Sequence, residues 1–161
     1  MSDRQNIAPP SAFDLASRPG FLIRRLHQIH TALFIEECAA FNITPVQYSV
    51  MTMTAEQPGL EQARLGHEVG VDRTTLANVV ARLEARGLLR RTTTRTDRRL
   101  KRVFLTARGK KLLEQMAQPA RRAHARTIEA LSSAERTIFL NALAKLVAAG
   151  NDFGRAPLRL G

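Results

Sequence analysis

The chain has 161 residues, the length of one domain, and 44% of them are hydrophobic with no tryptophan, so its core is aliphatic. Twenty-five Lys and Arg against 14 Asp and Glu give a net charge of +11, which favours a polyanionic partner: nucleic acid first, an anionic membrane surface second. No long apolar run or signal-peptide pattern occurs, and the lone Cys38 excludes an internal disulfide, so a cytoplasmic protein is expected rather than a membrane or secreted one.

Residues 1–17 are polar, carry Pro9 and Pro10, and read as a flexible arm. A long helix is expected from Pro19 to about Ala40, with Leu22, Leu26, Ile29 and Leu33 at helical spacing. Asn42 and Ile43 end it. Thr44-Pro45-Val46-Gln47 then opens a second helix, with Thr44 as cap, Pro45 at the first helical position and Gln47 three residues after the cap. Pro58 and Gly59 close that helix, and a short one follows over about residues 61–69. Gly70 and Val71 turn the chain, and Asp72 caps a further helix through Arg86 with Leu76, Val79, Val80 and Leu83 on its inner side. Gly87 occupies the usual place of a glycine after a helix. Two short strands, 88–93 and 100–105, flank the polar loop Thr94-Arg95-Thr96-Asp97-Arg98-Arg99. Thr106 caps a long helix toward Ala130, and the capping box from Ser132 to Glu135 opens a last helix through Ala148. Residues 151–161 read as a tail.

Charge is concentrated along this order. Residues 60–111 hold fourteen of the basic residues and five of the acidic ones, so one third of the chain carries most of the excess. Within it, residues 65–86 have the form of a helix-turn-helix, whose second helix fits a DNA major groove. Its N-terminal residues, expected to face base edges, are Arg73, Thr74, Thr75 and Asn78, with Arg82 a turn further on. Asn pairs with adenine, Arg with guanine, and Thr reaches a thymine methyl or a phosphate. The hairpin that follows is tipped by Arg95, Arg98 and Arg99, suited to a narrow minor groove, with Asp97 placed to orient an arginine.

The segment LEARGLLRRTTTRTDRRLKRVFLTARGKKLL, residues 83–113, resembles the wing region of the MarR family of bacterial regulators. The shared pieces are the R-L-E-x-R-G-L-L-x-R run, the D-x-R wing tip and the L-T-x-x-G helix start, and the helix order matches over about residues 20–148. The resemblance implies a mainly α winged helix-turn-helix with a two-stranded β wing. It implies a DNA-binding part over about 45–105 and dimerisation helices over about 19–41 and 107–148, within a single domain spanning 18–150. It makes Arg99 the wing arginine and Asp97 its partner, and it implies an obligate homodimer on a pseudo-palindromic operator. The apolar terminal helices and the alanine-rich stretch 117–125 agree with a dimer.

Members of that family often release DNA on binding small aromatic acids. Arg24, His27 and His30 on the first helix, with Tyr48 on the second, are the candidate pocket for an aromatic carboxylate. The run RRLHQIH followed by TPVQYSVM is similar to members that control aromatic-acid breakdown, so a repressor relieved by such an acid is expected. Satisfied interface histidines are the plainer alternative. A metal-responsive reading has only His27 and His30, short of the three or four ligands zinc requires. A redox-responsive reading has Cys38, whose neighbours Glu36 and Glu37 disfavour a thiolate. Neither metal nor cofactor is expected, and no nucleophile or phosphate loop suggests an enzyme. An architectural protein binding DNA without sequence choice remains the other non-enzyme alternative. The polar set Thr74, Thr75 and Asn78 argues against it, since backbone binding needs only Lys and Arg.

Overall fold

The computed structural model describes residues 14–93, 100–150 and Phe153. The chain begins with α1 (Pro19–Glu37), which has proline in its first turn, followed by a 3-10 turn (Ala39–Phe41) and α2 (Pro45–Glu56). Asn42, between them, adopts a left-handed conformation at φ 50°, which asparagine tolerates better than most residues. The α2 capping box forms as its spacing predicts: Gln47 N–H donates to Thr44 Oγ1 at 3.3 Å, and Thr44 N–H to Gln47 Oε1 at 3.0 Å.

Next come β1 (Leu60–Glu61), α3 (Gln62–Val69), α4 (Arg73–Ala85), β2 (Leu89–Thr93) and β3 (Lys101–Leu105). The sheet is antiparallel in the order β1-β3-β2, with Leu60 opposite Val103 and Leu89 opposite Leu105. The two-stranded wing thus gains a third strand at its base. Gly59 makes this possible. Its φ is +80°, its N–H donates to Val103 O at 2.9 Å, and a Cβ there would lie 2.8 Å from the Phe104 ring.

Two long helices complete the chain, α5 (Ala107–Thr127) and α6 (Ser133–Gly150). Thr106 Oγ1 accepts from Gly109 N–H at 3.0 Å, and Ser132 with Glu135 forms the anticipated box, Ser132 N–H donating to Glu135 Oε2 at 2.8 Å. The helix boundaries differ from expectation by a few residues: α1 stops at Glu37 rather than near Ala40, and α5 at Thr127 rather than near Ala130. In α3, Leu65 is buried while Ala63 is exposed.

One core joins these elements. Phe34 of α1, Met51 of α2, Leu65 of α3, Leu76 and Leu83 of α4, Leu89 of β2 and Met116 of α5 are all buried. Each such side chain contributes about 1.5–3 kcal/mol when fully withdrawn from water. The helix α1 lies along α5, and the two are tied by Arg122 Nε to Glu37 Oε2 at 2.7 Å and by Arg126 Nη1 to Glu36 Oε1 and Glu37 Oε1, both at 2.9 Å. In contrast, α6 buries none of its residues within the chain. Its Ile138 is 68% exposed and Leu146 64%, while Leu22, Ile23, Ile29 and Ile35 of α1 are also exposed. Among the described residues no helix is long and apolar enough to cross a membrane.

Candidate functional site

Two regions gather the residues singled out by the sequence. The first is the exposed side of α4. Asp72 caps this helix, its Oδ1 accepting from Thr75 N–H at 2.9 Å and its Oδ2 from Thr75 Oγ1–H at 2.7 Å. These bonds from Thr75 hold the Asp72 carboxyl below its ordinary range. The Thr75 hydroxyl is therefore already engaged, whereas Arg73, Thr74, Asn78 and Arg82 stand exposed along the same helix. Arg95, Asp97, Arg98 and Arg99 lie outside the described residues, as do residues 1–13 of the arm and most of the tail.

The wing strands are fastened to α4 by one carboxylate. Glu84 Oε1 accepts Arg91 N–H at 3.1 Å, and Oε2 accepts Arg91 Nε–H at 2.9 Å together with Nη2. Arg91 accordingly keeps the Glu84 carboxyl below its usual value. Arg90 lies over the Phe104 ring at 4.5 Å, and Lys101 and Arg102 are exposed on β3. Cations on α4 and at the wing base share a groove of about 560 Å³, which Arg73 and Lys101 both line. Such a face attracts a polyanion.

The second region is a cavity of about 400 Å³ between α1, α2, α3 and α5. His30, Tyr48, Thr52, Glu56, Glu68 and His124 line it, over a floor that includes Phe34 and Met53. His30 stacks on His124 with ring centres 5.0 Å apart, and Phe34 meets Tyr48 at 5.4 Å. Nδ1 of His30 lies 2.9 Å from Thr127 Oγ1. Burial, then the neighbouring His124 and His27, push the His30 pKa below its ordinary value, which favours the uncharged ring. The Thr52 hydroxyl is buried without a hydrogen-bond partner among the described residues.

Of the four residues expected in this pocket, His30 and Tyr48 line it, while Arg24 and His27 do not. Arg24 is exposed with its guanidinium 5.5 Å over the Phe21 ring, and His27 is exposed one turn before His30. The second imidazole comes instead from His124. Thr52, Glu56 and Glu68 also join the lining, brought in by α2 and α3; no local pattern in the sequence marks them.

Cys38 is buried. Burial first, and Glu37 second, raise its thiol pKa, the reverse of what a reactive cysteine needs. Among the described residues no three His, Cys, Asp or Glu side chains are grouped to hold a metal.

The MarR family profile matches residues 41–100. The transcriptional regulator HosA of Escherichia coli is 34% identical over 125 residues, 78% of this chain and 91% of the relative. The HTH-type transcriptional repressor NicR of Pseudomonas putida is 30% identical over 142 residues, 88% and 90% of the two chains. The PcaV transcriptional regulator of Streptomyces coelicolor, solved with its natural ligand, superposes with a TM-score of 0.77 at 32% identity, covering 87% of this chain and 99% of that one. BpsR of Bordetella bronchiseptica, whose DNA binding is regulated by 6-hydroxynicotinic acid, gives a TM-score of 0.76 at 31% identity, with 79% and 96% covered. The repressor CouR, bound to a DNA duplex, gives 0.77 at 27%, with 86% and 99% covered.

Proposed function

We propose, because this chain belongs to the MarR family of transcriptional regulators, that it is a homodimeric repressor released from a pseudo-palindromic DNA operator by a small aromatic carboxylate. In this reading α1, α5 and α6 form the dimer, and residues 45–105 form the DNA-binding lobe. Arg73, Thr74, Asn78 and Arg82 of α4 read the major groove, and Arg95, Arg98 and Arg99 of the wing, oriented by Asp97, enter the minor groove. A DNA target puts the working protein in the cytoplasm, and the genes it controls serve aromatic-acid breakdown.

The observation that carries the reading is the position of the cavity. It lies where α1 and α5 meet α2 and α3, and its lining includes Glu68 and Val69 at the end of α3, just before the turn into α4. A ligand there touches both lobes at once. The aromatic pair Phe34 and Tyr48 suits a ring, and the His30–His124 pair suits an acid group. Regulation of DNA binding in BpsR by 6-hydroxynicotinic acid, a nitrogen-ring acid, supports the ligand class.

The test is binding of the purified protein to a labelled duplex from its own upstream region, with random duplex as competitor, in the presence and absence of benzoate, 4-hydroxybenzoate and 6-hydroxynicotinate. Specific binding abolished by at least one acid is expected. Equal competition by random duplex would favour an architectural protein, and specific binding indifferent to every acid would remove the aromatic effector.

A further inference from the structure

Among the described residues the cavity's polar wall holds no arginine or lysine. Thr127 Oγ1 lies 2.8 Å from Ala123 O and 2.9 Å from His30 Nδ1. A hydroxyl carries one proton. Both contacts are hydrogen bonds only when Thr127 donates to Ala123 and His30 Nδ1–H donates to Thr127. Neutral His30 is therefore the Nδ1–H tautomer, and the ring atom left for a ligand, Nε2, is a bare lone pair.

The titratable groups around that ring are His27 on α1, Tyr48 and Glu56 on α2, Glu68 on α3 and His124 on α5. The two glutamates accept rather than donate. The Ser49 hydroxyl is turned back to Pro45 O at 3.1 Å, and the expected cation, Arg24, stands outside the cavity. His124, stacked at 5.0 Å, makes two adjacent positive rings unfavourable. An incoming carboxylate thus meets the Tyr48 hydroxyl and the carboxylates of Glu56 and Glu68, the latter paired with Arg64 at 3.5 Å, and among the described lining residues no arginine or lysine balances its charge.

We infer that His30 is the residue by which the cavity tells a free carboxylate from its neutral amide or ester, and that it does so by taking up one proton at Nε2 as the carboxylate binds. The proton comes from solvent. The imidazole becomes an imidazolium, its new Nε2–H donates to the carboxylate, and no bond to the ligand is made or broken. A neutral amide offers no charge to hold that proton, so it binds without uptake. The inference rests on the aromatic-acid reading above and assigns the recognition of the acid group within it.

The experiment is calorimetric titration of the full-length protein at pH 7.5 with benzoate and with 6-hydroxynicotinate, each against its amide, in phosphate and in Tris. Those buffers differ in ionisation enthalpy, so the difference in observed heat counts protons. The expected result is about one proton taken up per acid bound and affinity falling about tenfold per pH unit above neutrality. The amides show neither effect. His30→Asn keeps an N–H for Thr127 and brings uptake to zero. An acid that binds with the same heat in both buffers overturns the inference and leaves the proposed function standing. No binding by any acid overturns both. The buffer comparison needs only the unaltered protein, so the outcome does not depend on a variant folding.

Discussion

Glu84 shows how much one side chain can organise. It sits in the last turn of α4 and receives the backbone N–H and the guanidinium of Arg91 on β2, so one carboxylate ties the helix to the wing strand. Arg86 does the same in the other direction, donating to Asn42 O at 2.6 Å and Phe41 O at 2.9 Å and joining the end of α4 to the turn after α1. His30 has a consequence for stability. Its pKa in the folded chain lies below the ordinary value of about 6.5, so the unfolded chain binds more protons there. Stability should therefore be intact above that value and fall as pH drops through it. Glu37, Asp72, Glu84 and Glu135, all held low by hydrogen bonds, add a further loss only at more acid pH, below about 4.5. Urea midpoints measured from pH 7.5 to 5 should decline. His30→Asn should flatten that decline; an unchanged slope would mean His30 is not the group responsible.

At the scale of elements, the helix starts were legible because each has a local cause: Thr44 with Gln47, Asp72 with Thr75, Ser132 with Glu135. The strand β1 was not, because two residues carry no alternation and its pairing is dictated by the edge of β3 and by Gly59. The extent of burial on α6 was also illegible. Its apolar positions have helical spacing, yet within the chain none of them is buried and only Phe139 and Leu143 are partly covered. We expect them to meet a second copy. Ile138→Asp and Leu146→Asp should convert a dimer to a monomer by light scattering while leaving the far-UV dichroism of the α1–α5 body unchanged. A dimer that survives both substitutions would place its interface elsewhere.

At the scale of the molecule, what the sequence could not show was convergence. His30 and Tyr48 could be picked out as chemistry-bearing residues, but that His124 would stack on one of them depends on α5 lying along α1. Arg24 and His27 share the helix with His30 and still miss the cavity, since one turn of about 5.4 Å for His27 and a rise of about 9 Å for Arg24 carry them past its edge. The DNA face was easier to read, because charge, helix-turn-helix and wing are contiguous in the chain. What joins the two regions is position: the cavity adjoins the end of α3, which leads through Gly70 into α4.

That link is tested most directly by DNA affinity measured as a function of 6-hydroxynicotinate concentration, for the unaltered protein and for Ser49→Trp. Ser49 is exposed at the cavity, so the larger side chain closes the cavity without entering the core. Both are expected to bind the operator equally well without acid, and only the unaltered protein to let go as acid is added. Release of both at the same acid concentration would contradict this, because the acid would then be acting somewhere other than this cavity.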